Sequence, residues 1–399
     1  MSATISDRLL ERVGSALERA EADGWLLYDL EGRNDVATEI LGLPDGTSRR
    51  TFVLLRPGRP PTALAHRIER QSFEGWPGRR IEYVGWEEME EALAGLLEGL
   101  DRVAMEVSPG DAVPFVDQVP AGVIELVEAS GVEVVSSADL ISRTCARWGE
   151  DGRALHDRAS AILARVAREA WERALEAVRA DDPLDERTVA DGILDRLASE
   201  GLDEVDTIVA GGPNSALPHY EPPAEDSRPL RRGDVFLVDL WGRVRGEPRA
   251  VFADQTWMGV LGRELPEGFG RAWEAVRDAR DGTVAFLRER FEEGVAPSGA
   301  AADRRARGIL KSAGYGDDEI LHRTGHGIDR ALHGFGPNLD SVETRDERAL
   351  LEGVGFSVEP GLYLEGLWGI RSEIDVHVTP DGPEVTTPGV QDEPWTDDG

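Results

Sequence analysis

The chain has 399 residues, 40% of them hydrophobic, which is long for one domain and comfortable for two. Its 77 Asp and Glu against 44 Lys and Arg leave a formal net charge of −33. So acidic a surface repels nucleic acid and anionic membrane alike, and neither is expected as a partner.

The acid is spread along the whole chain, and Lys311 is the sole lysine among the cations. That distribution resembles proteins of salt-loaded cytoplasms, where screening removes the self-repulsion, so a halophilic, cytoplasmic protein is expected. A single cysteine, Cys145, excludes an internal disulfide and thiolate metal clusters. The opening MSATISDRLLERVGSALERAEADGWLL lacks the apolar run and small-residue cleavage site of a signal peptide. No stretch approaches the roughly 18 uncharged apolar residues of a membrane span.

In chain order, a helix over about 6–22 leads into the apolar run GWLLYDL (24–30). TFVLLRP (51–57), RIEYVGW (80–86), DRVAMEV (101–107) and VEVVSS (132–137) then read as strands with helical segments between them. The alternation predicts an α/β layer domain over residues 1–148, with a largely parallel or mixed sheet. It contains no glycine-rich phosphate loop and no ligand-spaced cluster of His or acidic residues.

From about 148 the pattern changes. Leu155, Ile162, Leu163, Val166, Trp171, Ala174, Leu175 and Val178 fall mainly three and four apart, predicting a long amphipathic helix ended by ADDP (180–183). Further helices are expected at about 184–200, 266–291 and 297–313. Between and after them, VDTIVAGG (205–212), DVFLVDLW (234–241), VFADQTWMGV (251–260), FSVEPGLYLEG (356–366) and WGIRSEIDVHV (368–378) read as strands. The acidic end PGVQDEPWTDDG is expected to fray. The second domain therefore spans 149–399.

The chemistry lies in that second half. Asp239 sits inside an apolar strand, where a lone ionised carboxylate is costly unless it is protonated, paired or bound to metal. Asp254 poses the same problem in the next strand. One such Asp is most often capped or paired; two in consecutive strands point to a shared cation. Of the seven histidines, His219 lies in GGPNSALPHYEP, and His322, His326 and His333 lie in HRTGHGIDRALH. Gly325 and Gly327 disfavour a helix there, so His326 reads as one ligand in an extended segment with the other two nearby. Glu359 stands just before Pro360-Gly361, where a strand breaks. Strand alternation groups Arg371, Glu373, Asp375 and His377 on one face of 368–378. Four carboxylates and one imidazole are hard ligands suited to Mn²⁺ or a comparable divalent ion. Their charge would balance two such ions and leave room for a bridging hydroxide, the arrangement two-metal hydrolysis needs.

These strings, in this order, resemble the pita-bread metallopeptidases: Xaa-Pro aminopeptidase, prolidase, methionine aminopeptidase and their non-metal cousin creatinase. The resemblance implies a creatinase-type N-terminal α/β domain and an α+β catalytic domain, a curved antiparallel sheet flanked by helices. It implies the metal ligands Asp239, Asp254, His326, Glu359 and Glu373, with Asp254, Glu373 and a hydroxide bridging two ions. The ions would be Mn²⁺ in the family's manner, with Co²⁺, Zn²⁺ or Fe²⁺ as alternatives. Glu359 is implied as proton shuttle, and His333, His322, His219 and Arg371 match auxiliary active-site positions. The histidines, with the N-terminal domain, favour Xaa-Pro cleavage at peptide N-termini by a metallo-aminopeptidase or prolidase, with a proline-containing peptide as partner; the resemblance alone implies a homodimer. A metal-dependent hydrolase of a non-peptide amide or C–N bond, or a retired binding protein on the same fold, are the competing readings. Two features depart from the family: the fifteen-residue spacing of Asp239 and Asp254, read as a longer hairpin around 245–248, and Asp329-Arg330 after the metal histidine.

Overall fold

The computed structural model describes residues 5–43, 46–203 and 206–398, so Val205, the first residue of one predicted strand, and the last residue, 399, lie outside it. The chain divides into two compact units, Met1–Cys145 and Ala146–Gly399.

The first unit is an α/β layer. Its helix Asp7–Ala20 starts where the Ser6 hydroxyl accepts from the Leu9 N–H, a side-chain cap that the sequence SxxL supplies. Six strands form one mixed sheet. Gly24–Asp29, Thr51–Arg56 and Arg59–His66 pair antiparallel in succession, while Arg79–Tyr83, Arg102–Met105 and Glu133–Ser136 join in parallel. Arg59–His66 is absent from the sequence-based expectation because Pro60-Pro61 reads as a turn. The prolines lie at its start, where the register to Thr51–Arg56 shifts, and pairing proceeds from Thr62 onward. The predicted strand 80–86 is also shorter than expected: it stops at Tyr83, and Trp86 opens the helix Trp86–Leu97.

In the second unit the apolar periodicity of 148–180 becomes the 30-residue helix Glu150–Arg179. Its buried stripe, with Leu163, Val166, Trp171 and Leu175, packs on Phe236, Val238 and Leu240 of the strand Val235–Val244. Each large aliphatic buried in this way contributes about 2 kcal/mol before the entropy of ordering is subtracted. On the other side of the sheet, Phe269–Glu292 supplies Phe269, Trp273 and Val276 to a core with Leu237, Met258, Leu362 and Ile370. Among the described residues, every strand pair in this unit is antiparallel. Val235–Val244 lies between Ala253–Val260 and Thr207–Gly211; a second sheet runs Gly327–Ile328, Gly355–Val358, Ile374–Thr379, Gly382–Val385. A hairpin of Gly361–Leu364 with Trp368–Arg371 completes the curved, helix-flanked pita-bread arrangement.

Two expectations need correction. WGIRSEIDVHV is not one strand: it breaks at Ser372-Glu373, its halves pairing with different partners. Over its described residues, 388–398, the acidic tail is held in place. Trp395 stacks on Trp257 at 5.4 Å and meets Trp171 at 5.7 Å, its backbone bonds Met258 and Val260, and Asp397 pairs with Arg179. Aromatic stacking and backbone pairing outweigh the like-charge repulsion that the tail's composition suggests. Trp395→Ala is therefore expected to destabilise this unit by about 2 kcal/mol, less than a fully buried Trp would cost. A thermal melt unmoved by that change would show the tail to be loosely held.

Candidate metal centre

Antiparallel register explains why the two aspartates meet. Asp239 faces Thr256 across the ladder, and Asp254 is two residues from Thr256, so all three side chains share one face. The hairpin joining these strands spans 245–252 and turns at Gly246, which has φ +72°, so the longer spacing leaves both carboxylates in place. It also reaches the other departure from the family pattern. Arg243 donates to the Arg330 carbonyl at 2.6 Å, and the Phe252 N–H to the Asp329 carbonyl at 2.9 Å. The buried Asp329 carboxylate in turn accepts from the Ala331 and Phe335 N–H groups, closing the turn that presents Leu332 and His333.

His326 stands immediately before the short strand Gly327–Ile328, which pairs with Gly355–Val358. Its flanking glycines are steric requirements: a Cβ on Gly325 would lie 2.0 Å from the Ser357 carbonyl oxygen, and one on Gly327 would lie 2.7 Å from that of Gly336. Glu359 and Glu373 each occupy a break between two strands, where the chain can turn a carboxylate inward.

Ligand atoms of Asp254, His326 and Glu373 lie within 4.8 Å of one another, and all three residues are buried. His326 Nε2 is 3.3 Å from Asp254 Oδ2 and 3.6 Å from Glu359 Oε1. Asp239 turns one oxygen to the Arg371 guanidinium. Its Oδ1, like Asp254 Oδ1, is buried without a hydrogen-bond partner. Glu373 accepts from the Thr256 hydroxyl at 2.7 Å, and Thr256 accepts from Arg371 Nε at 2.9 Å. Asp375 Oδ2 accepts from the Asp254 N–H at 3.0 Å and so fixes that ligand from behind.

Burial, then repulsion from Asp239 and Glu359, holds the Asp254 carboxyl well above its ordinary range. Burial, then Asp254 and Glu359, does the same to Glu373. For Glu359 burial also pushes upward, but His326, His322 and Arg371 together outweigh it and keep the group below the usual carboxylate range. Repelling carboxylates with orphaned oxygens and a buried imidazole suit a divalent cation, which neutralises the repulsion and fills the free lone pairs.

Around the cluster is a cavity of about 270 Å³ lined by His219, His322, Arg323, His333, Glu343 and Trp241 as well as the five candidate ligands and Arg371. His322 is held by the Tyr363 hydroxyl at 2.7 Å and the Arg323 carbonyl at 2.6 Å. His333 sets its ring edge-on to His326 at 4.4 Å, and burial together with the neighbouring His326 pushes it down to about 4, so it is neutral near pH 7. Every candidate site residue read from the sequence thus lines one cavity. His377, placed with Glu373 by alternation, does not: it stacks flat on Trp148 at 4.7 Å. Thr256 and Tyr363 escaped the sequence reading. Thr256 had a signal, standing two residues from Asp254 in a strand; Tyr363 had none, because its role depends on the fold of the 361–371 hairpin.

A pita-bread unit whose one cavity carries five candidate ligands, four carboxylates and an imidazole, is the class of protein built to hold divalent cations for hydrolysis. The chain belongs to metallopeptidase family M24, whose model matches residues 156–380, more than half of its length. It is similar to the "probable dipeptidase PepE" of Mycobacterium tuberculosis, 28% identical over 340 residues that cover 84% of this chain and 82% of that protein. It is 30% identical to the Xaa-Pro dipeptidase of Pyrococcus furiosus over 184 residues, 46% of this chain and 47% of that one. The crystal structure of dipeptidase PepE from Mycobacterium ulcerans superposes with a TM-score of 0.73 at 24% identity, over 98% of this chain and 99% of that one, a likeness of fold.

Proposed function

We propose that this metallopeptidase cleaves Xaa-Pro bonds at peptide N-termini, and that it does so with two metal ions. The reading is carried by one observation: a buried Asp254–His326–Glu373 cluster shares its cavity with Glu359 and with three further histidines, His219, His322 and His333. Similarity to an Xaa-Pro dipeptidase supports the substrate class.

Two divalent ions, Mn²⁺ in this proposal, would be held by Asp239, Asp254, His326, Glu359 and Glu373, and would supply a water of lowered pKa and a polarised scissile carbonyl. The chain's own groups do the rest. Glu359, held in its ionised form, accepts a proton from the attacking water and returns it to the leaving nitrogen. Neutral His333, together with His219, donates to the carbonyl oxygen as charge develops there. Arg371, through Asp239 and Thr256, keeps the ligands in register.

The test is hydrolysis of an Xaa-Pro peptide series with added Mn²⁺ at high salt. Release of proline, or of a peptide beginning with proline, is expected, and a chelator should abolish it. Activity on a non-peptide amide with none on this series would overturn the substrate assignment.

A further inference from the structure

A buried acid outside the cation site remains unused by this scheme. Glu186 opens the helix Glu186–Ser199 behind its N-cap Asp185, and its exposure is 0%. Among the described residues it makes no direct ion pair. Such a carboxylate is tolerated only when its lone pairs are filled. Here the filling groups all come from one segment: the Gly211 N–H at 2.6 Å, the Asn214 side-chain amide at 3.0 and 3.1 Å, and the Tyr220 hydroxyl at 2.6 Å. They are the first, a middle and the last residue of 211–220. Asn214 also donates to the Tyr220 hydroxyl at 2.9 Å, so the segment closes on itself around the acid.

The same segment forms part of the cavity wall. Pro218 and His219 line it, and the Pro218 carbonyl accepts from Arg371 Nη1 at 3.3 Å. From the other side Ser215 Oγ accepts from the Gly369 N–H at 2.8 Å, two residues before Arg371. The segment therefore hangs between a buried acid and the strand that carries Arg371.

We infer that Glu186 is a positioning residue for the peptidase reaction: its carboxylate fixes segment 211–220 so that His219 and the Pro218 carbonyl stand at the cavity wall. The inference rests on the peptidase reading of that cavity. Glu186→Gln preserves the shape but turns one acceptor oxygen, each of which faces two donor groups, into a donor, so the segment should loosen while the fold stays.

A double-mutant cycle with His219→Ala tests this. Each single change should lower kcat/KM on the best peptide about 10-fold or more, and the double variant should match His219→Ala within a factor of about 3. Independent, multiplying losses would overturn the inference, as would full activity in Glu186→Gln. Tyr220→Phe, which removes one donor and no charge, carries the same cycle if Glu186→Gln fails to fold. A second readout needs no substrate. Amide hydrogen exchange in Glu186→Gln should speed up across 211–220 and leave the strands Val235–Val244 and Ala253–Val260 unchanged. Faster exchange there in a protein that cleaves no peptide would retire the peptidase reading and keep the clamp; unchanged exchange would retire the clamp.

Discussion

Glu359→Gln should lower kcat on any cleaved peptide by about 10³-fold, within the roughly 10²–10⁴ range that positioned proton transfer supplies, while the fold survives. The side chain sits in the break between Gly355–Val358 and Gly361–Leu364, its Oε1 3.6 Å from His326 Nε2 and accepting from the Ser357 hydroxyl at 3.2 Å. Burial alone would favour its protonated form, but His326, His322 and Arg371 reverse that, so the group is ionised at neutral pH. Gln keeps the size and one acceptor oxygen and removes the basicity. Strand pairing on both sides of the break involves backbone only, so circular dichroism and the melting transition should change little. The informative comparison is kcat against bound-metal content. Loss of kcat with metal retained supports proton transfer; loss of both would make Glu359 chiefly a ligand. More than a tenth of normal kcat in a metal-replete variant would sink the role.

Much of this site was visible before the fold was known, and the reason is energetic. Buried carboxylates are rare because they are costly, so Asp239 and Asp254 stand out inside apolar runs from composition alone. The helix Glu150–Arg179 was legible for the same kind of reason: a stripe must face a core. What was hidden depends on pairing partners far away in sequence. Asp375 reaches the Asp254 N–H across 121 residues, and Thr256 joins Glu373 across 117. Alternation placed Asp375 on the right face but could not name its partner. The break at Ser372-Glu373 was invisible because both flanks are good strand sequence. It separates His377 from the cavity and sends it to Trp148. Local signals also failed where composition misled: Pro60-Pro61 hid a strand, and an acidic tail hid the Trp395 anchor.

Metal loading should raise the melting temperature of the protein by about 10 °C, the second large effect expected here. Without a cation the cluster is internally opposed. Asp254 is buried and repelled by Asp239 and Glu359, Glu373 is buried and repelled by Asp254 and Glu359, and Asp239 Oδ1 and Asp254 Oδ1 have no hydrogen-bond partner. A divalent ion binds this arrangement and not the unfolded chain, so at a concentration about 1,000 times its Kd it adds about 4 kcal/mol. For a unit of this size each kcal/mol moves the midpoint by about 2–4 °C. Protons compete for the same oxygens. Because the Asp254 and Glu373 carboxyls are held above their ordinary range, they take up protons as pH falls while ordinary carboxylates are still ionised. The stabilisation by metal should therefore shrink toward acid, and binding should release protons measurable from the buffer dependence of the calorimetric heat. Asp254→Asn separates the two contributions. It removes one repelling charge, so the metal-free protein should melt no lower than wild type, yet it removes a ligand, so the gain on adding Mn²⁺ should largely disappear. An undiminished Mn²⁺ gain in Asp254→Asn, or no gain in the wild type, would show that the cluster is held together by protons instead of a cation.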